Sequence, residues 1–203
     1  VEEIIGVYAG LRPLVASSAN SKTTKLSREH IVDRPLPGFV SIAGGKYTTY
    51  RVMAKDVIDL AVNDLRRIVP ESVTDKLPII GADGYFALEQ QCAQISDLSG
   101  LPVNTISHLL NRYGSQIHEL LEIIENDKKL AQPLADGLSY VKAEIIYAVS
   151  HEGAQSVDDV LSRRTRISFE AADGGKSLAT LVANLIAPVL GWDVATKKRS
   201  AAE

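Results

Sequence analysis

With 203 residues, 45 % hydrophobic and 23 % charged, the chain is too apolar for a disordered segment and long enough for one full domain with part of another. A net charge of −3 with scattered basic residues excludes a nucleic-acid footprint. A single cysteine, Cys92, excludes an internal disulfide and any cysteine-rich zinc site, fits a reducing compartment, and is itself expected to be buried and inert.

Residues 1–60 hold eight Lys/Arg against six Asp/Glu, and the remainder fourteen against nineteen, so any preference for anions belongs to the N-terminal part. The chain opens Val-Glu-Glu-Ile-Ile, without an initiator Met or the regions of a signal peptide, and reads as a piece of something longer. Its most apolar stretch, Leu178 to Leu190, is thirteen residues, short of the about twenty that span a bilayer. No transmembrane segment is expected.

In chain order, the runs Ile4 to Tyr8, His30 to Val32 and Phe39 to Ile42 read as short strands, with a flexible polar loop from Ala16 to Lys25. From Thr49 the period changes. Val52, Met53, Val57, Leu60, Ala61, Leu65 and Ile68 share one helical face that Pro70 ends. Residues 71–84, with proline, glycine and weak periodicity, read as a linker between a first unit (1–70) and a second (85–203).

The second unit reads as helical almost throughout. A weaker stretch at Leu88 to Leu98 is followed by Ile106, Leu109, Leu110 and Tyr113, which recur eleven residues later as Ile117, Leu120, Leu121 and Ile124 with Gly114 as a break between them. Leu138, Val141, Ile145, Ala148 and Val149 form a further face. Ser156 and Asp159 resemble a capping box, with Arg163 and Arg164 at the negative end of that helix. Leu178 to Leu190 is expected to be the central helix, and the tail from Thr196 to be loose. These faces must bury against one another, so the fold is expected to be mainly α, a helical bundle preceded by a few strands and one helix.

The chemistry lies in Gly38 to Tyr50, GFVSIAGGKYTTY: a strand, a Gly-Gly turn, a lysine, two threonines, then the helix. Helix-start N–H groups lack internal partners and glycines let a ligand approach the backbone, so the pattern suits an anion or a polar cofactor edge as well as an ordinary corner. Thr48 or Thr49 is expected to cap the helix. A nucleotide-triphosphate loop fails here, because it needs glycine at Val40 and Ser or Thr at Tyr47; Gly174 to Ser177 fails likewise at Glu170.

Gly10-Leu11-Arg12-Pro13-Leu14, Ser27-Arg28-Glu29-His30 and Ser41 to Arg51 resemble, in order and spacing, three motifs of the FAD-dependent glycerol-3-phosphate dehydrogenases. Arg112-Tyr113-Gly114, Tyr147 to Glu152 and Leu161 to Arg166 resemble that family's helical C-terminal domain. The resemblance implies that residues 1–70 close an incomplete α/β flavin-binding domain and that 85–203 are its helical cap. It implies FAD as cofactor beside Gly44, Gly45, Lys46, Thr48 and Thr49, and the phosphate of glycerol 3-phosphate at Arg12, Arg28 and Lys46.

The implied reaction takes the C2 hydrogen to FAD as hydride and gives dihydroxyacetone phosphate, with electrons passing to a quinone and the base lying upstream of this chain. A chain without the upstream groups is expected to be inactive alone. Further implications are a cytoplasmic location, peripheral on the inner face of the cell membrane, with a homodimer left open.

His30, His108, His118 and His151 are not assigned as the base; the helix-face histidines read as structural or solvated. Arg163, Arg164 and Arg166 read first as ion-pair partners of Asp158, Asp159 and Glu170, and second as binders of anionic lipid or phosphate. Two other readings stay open: a helical module that binds a protein or membrane surface, and the related oxidase, which passes electrons to oxygen.

Overall fold

The computed structural model describes residues 4, 7, 9–11, 15 and 29–202. Most of Ile4 to Tyr8 and all of Ala16 to Lys25 lie outside them. The chain divides into one unit at Ala9–Leu77 and another from Pro78 onward, each described by itself.

In the first unit, β1 (His30–Leu36) pairs antiparallel with β2 (Phe39–Gly44), His30 opposite Gly44 and Leu36 opposite Phe39. The ladder is irregular between Asp33 and Leu36, where Pro35 has no N–H to contribute. Helix α1 runs Tyr50–Ala61 and tightens into a 3-10 turn at Val62–Asp64. It stops well short of Ile68, which is 98 % exposed.

The helical period of Leu65 and Ile68 is therefore not used. Val62, Asn63 and Asp64 are weak helix formers, and the Asp64 carboxylate is engaged elsewhere, pairing with Arg34 and accepting the Gly38 N–H at 3.1 Å. That contact fastens the end of α1 to the turn of the hairpin.

The second unit is helical. It contains α2 (Tyr85–Gln90), α3 (Cys92–Ser99), α4 (Val103–Tyr113), α5 (Ile117–Asn126), α6 (Lys142–Ser150), a π-helical turn (Asp159–Arg164), α7 (Ile167–Glu170), α8 (Ala179–Leu190) and α9 (Val194–Ala202). The break at Gly114 is real. Gly114 has φ +57°, and a Cβ there would stand 1.8 Å from the Gly81 carbonyl oxygen, which accepts the Ser115 N–H at 2.9 Å. So part of the expected linker is bound against the α4–α5 corner.

Two apolar clusters form the core, and α6 feeds both. Ala143 and Tyr147 join Ile106, Leu109, Ile117 and Leu120 on one side; Ile145 and Ala148 join Val160, Ile167, Val182 and Ile186 on the other. The central helix is thus α6, and α8 packs on one side of it. Each fully buried Ile or Leu contributes about 1.5–3 kcal/mol.

The tail also departs from expectation. Residues 194–202 are α9, started by Asp193, whose carboxylate accepts the Thr196 N–H at 2.7 Å, and held by buried Ser200, whose hydroxyl accepts the Val157 N–H at 3.1 Å. The Ser156 cap forms, its hydroxyl accepting the Asp159 N–H at 3.0 Å, but Asp159 accepts from Gln155 (3.0 Å) and so does not close the box on Ser156. Cys92 is only partly buried, with Sγ 3.3 Å from the Ser107 hydroxyl.

One charge sits at the centre of the unit. The Glu144 side chain on α6 is fully buried, and its carboxylate accepts the Val141 N–H (2.8 Å) and the Tyr113 hydroxyl (3.1 Å). It also meets His108 Nε2 (3.1 Å) and Arg112 Nε (3.2 Å). Arg112 in turn lies over the Tyr140 ring and donates to the Arg164 carbonyl at 2.5 Å. Arg112 Nε meets Glu144 as an ion pair without a hydrogen bond, so the cluster depends on opposite charges as well as on its hydrogen bonds. Glu144→Ala should cost about 3–5 kcal/mol in urea unfolding, because Arg112 is then left without its counter-charge.

Burial pushes the phenols of Tyr113 and Tyr147 well above their ordinary value of 10, helped by the Glu144 charge on the first and the Glu119 hydrogen bond on the second. The unfolded chain ionises these phenols near pH 10 while the folded one keeps them protonated. Their contribution is therefore complete below that pH and falls as the pH rises. Stability measured by denaturant should decline above about pH 10, with a shallower decline in Tyr147→Phe.

Candidate functional site

The strand-turn-helix segment of the first unit brings five of the candidate residues together. Gly44 and Gly45 have φ +78° and +76°, a conformation glycine adopts at little cost. Their missing side chains make room for the protein itself. A Cβ on Gly44 would lie 2.7 Å from Val15 Cγ2 and 2.8 Å from the Glu29 carbonyl oxygen, and one on Gly45 would lie 2.6 Å from Met53 Sδ. Internal packing is thus one reason for glycine at both positions.

After the turn, Lys46 is extended (φ −150°, ψ 156°) and its carbonyl accepts both the N–H and the hydroxyl of Thr49, each at 3.0 Å. Neither threonine caps the helix: Thr49 donates backward, and Thr48 is exposed and makes no side-chain hydrogen bond among the described residues. The first turn of α1 has no acidic residue and no side-chain cap. The N–H groups of Tyr47 and Thr48 precede the first intrahelical bond.

What faces outward is thus a set of donors. Lys46, Tyr47 and Thr48 are exposed, so the Lys46 ammonium, the Thr48 hydroxyl and two backbone N–H groups are donors at a positive helix end whose first turn carries no acidic side chain. This donor set fits the oxygen- and nitrogen-bearing edge of a flavin or a phosphate.

Arg12 and Arg28 lie outside the described residues. Behind the turn, His30 Nε2 is 2.8 Å from Asp56 Oδ2, a contact between residues the sequence did not connect. Period could have suggested it, since Asp56 falls three residues after Met53 on the same helix face.

Among the cations of the second unit, Arg163 pairs with Asp158 and Asp159 (3.1 Å to the latter), and Arg164 donates to the Glu152 carbonyl at 2.9 Å. The Ser162 hydroxyl and Arg163 hold the Asp158 carboxyl below its ordinary value. His108 is structural, through Glu144. Among the described residues no cluster could hold a metal ion, and no helix is long and apolar enough to cross a membrane.

The described residues thus comprise a β-hairpin leading into a helix with a donor-rich start, followed along the chain by a helical unit. Residues 72–197 match the family described as the C-terminal domain of alpha-glycerophosphate oxidase, and the chain belongs to that family. It is 48 % identical over 200 residues to glycerol-3-phosphate dehydrogenase 2 of Mycobacterium tuberculosis, covering 98 % of this chain and 34 % of that protein.

The mitochondrial glycerol-3-phosphate dehydrogenase of Arabidopsis thaliana is 30 % identical over 210 residues, covering 97 % and 33 %. The X-ray structure of glycerol-3-phosphate dehydrogenase from Bacillus halodurans complexed with FAD shares the fold, with a TM-score of 0.65 and 22 % identity over 80 % of this chain and 34 % of that one. The chain spans about a third of the length of these relatives.

Gly45→Ala should destabilise the first unit by about 1–3 kcal/mol through its positive φ. Adding Met53→Ala should relieve the steric collision at that Cβ while leaving the backbone strain, a difference that amide exchange along β2 would register.

Proposed function

We propose that this chain is part of a flavoenzyme that oxidises sn-glycerol 3-phosphate to dihydroxyacetone phosphate, contributing the closing strand-turn-helix of its flavin domain and the helical cap. The observation that carries this reading is the 48 % identity with a protein named glycerol-3-phosphate dehydrogenase along 98 % of the chain. The geometry supports it through the donors at Lys46, Tyr47 and Thr48. So does the apolar surface of the first unit, where Leu36, Phe39, Tyr47 and Ile58 are 55–89 % exposed and offer a face for the rest of such a domain.

When bound, FAD accepts the hydride from C2 of the substrate. The residues of this chain bind and orient. The N–H groups of Tyr47 and Thr48, with the Thr48 hydroxyl, hold the acceptor edge of the cofactor and favour negative charge there. The Lys46 ammonium reaches toward the substrate phosphate as a mobile point charge, with Arg12 and Arg28 supplying planar forks to its oxygens.

No residue of this chain is assigned as base, and the 203-residue chain alone is proposed to be inactive. A quinone is proposed as electron acceptor. Location in the cytoplasm, peripheral at the inner membrane face, and a homodimer complete the proposal.

The full-length protein should purify yellow and bleach on addition of glycerol 3-phosphate; a colourless protein, or flavin indifferent to that substrate, contradicts the reading. Arg12→Ala should keep its flavin content while the specificity constant falls by roughly ten- to more than a hundredfold, the value of one charge-assisted contact to phosphate. Lys46→Ala should lower both. Flavin absorbance per protein and steady-state kinetics separate the two.

A further inference from the structure

His30 is the first residue of β1 and lies opposite Gly44 in the hairpin. From there its side chain crosses under the Gly-Gly turn. A Cβ placed on Gly45 would be only 3.2 Å from the His30 Cβ, so the turn rests on this histidine with Met53 beside it. The imidazole Nε2 then reaches Asp56 Oδ2 in the second turn of α1, at 2.8 Å, with the histidine side chain 19 % exposed and the aspartate 41 %. One side chain thereby touches all three pieces whose relative placement sets the direction of the Lys46 side chain and of the Tyr47 and Thr48 N–H groups.

We infer that His30 and Asp56 are a positioning pair for the cofactor-facing turn. The Nε2–H donates to the carboxylate and locks β1 to α1, and the turn at Gly44 and Gly45 is clamped between them. Both residues act through the turn, as positioning residues. The inference rests on the reading that this turn faces FAD. It adds what holds the turn in register: two glycines at positive φ leave a flexible corner, and donors aimed at a planar acceptor lose their effect with small displacements.

The test uses the full-length protein with its flavin. In His30→Leu and Asp56→Leu the visible flavin band should shift and the turnover number should fall by roughly ten- to a hundredfold, with flavin still bound stoichiometrically. His30→Gln carries an N–H donor at nearly the position of Nε2 and should restore both the band and the turnover. The double Leu variant should be no worse than either single one, because the pair acts as a unit.

An unchanged band and turnover in His30→Leu at full flavin content overturns the inference and leaves the functional reading intact. Failure of His30→Gln to restore them overturns it too, since the histidine then matters for bulk alone. If the unmodified full-length protein carries no flavin, the functional reading itself fails, which is a different outcome from either of these.

Discussion

The helical unit depends on one buried carboxylate. Glu144 is fully buried on a helix surrounded by protein on both sides, and a lone charge there would cost several kcal/mol. It is tolerated because α4 supplies His108 and, about one turn later, Arg112 and Tyr113, and the start of α6 supplies the Val141 N–H. Arg112 passes the constraint on to the Arg164 carbonyl, and Arg164 to that of Glu152. The two apolar clusters on either side of α6 are thus held to one register by a polar thread that a purely apolar core would lack.

The helices whose burial rests on large apolar residues were legible. The eleven-residue offset between Ile106 and Ile117 marks α4 and α5 because every position in it except the partly buried Leu121 is fully or nearly fully buried. The misses share a cause. α9 is held by a serine, an alanine and an aspartate cap, none of which produces an apolar stripe. The apolar residues Leu65 and Ile68 continued a helical period that the backbone abandons once Asp64 turns to the hairpin. The central place of α6 was hidden because its polar residue is the buried one, the reverse of what periodicity assumes.

The strand-turn-helix of the candidate site was legible as a motif, while its internal contacts were not. The pattern of strand, Gly-Gly, lysine and helix singled out this segment, but it could not tell that a Cβ on either glycine would meet Val15, the Glu29 carbonyl or Met53. Nor could it tell that Thr49 turns its hydroxyl back to Lys46. Both findings sharpen the chemistry. Among the described residues no side chain caps this helix start, so the donors there are its N–H groups, Lys46 and the Thr48 hydroxyl.

The central claim is that the donors at Lys46, Tyr47 and Thr48 face the flavin of a longer enzyme. The measurement that addresses it most directly is a crystal structure of the full-length protein with FAD and glycerol 3-phosphate bound. An acceptor atom of the flavin ring is expected within hydrogen-bond reach, about 2.7–3.2 Å, of the Tyr47 or Thr48 N–H, with the Lys46 ammonium between the ring and the phosphate. A flavin seated elsewhere, with this helix start open to solvent, would contradict it.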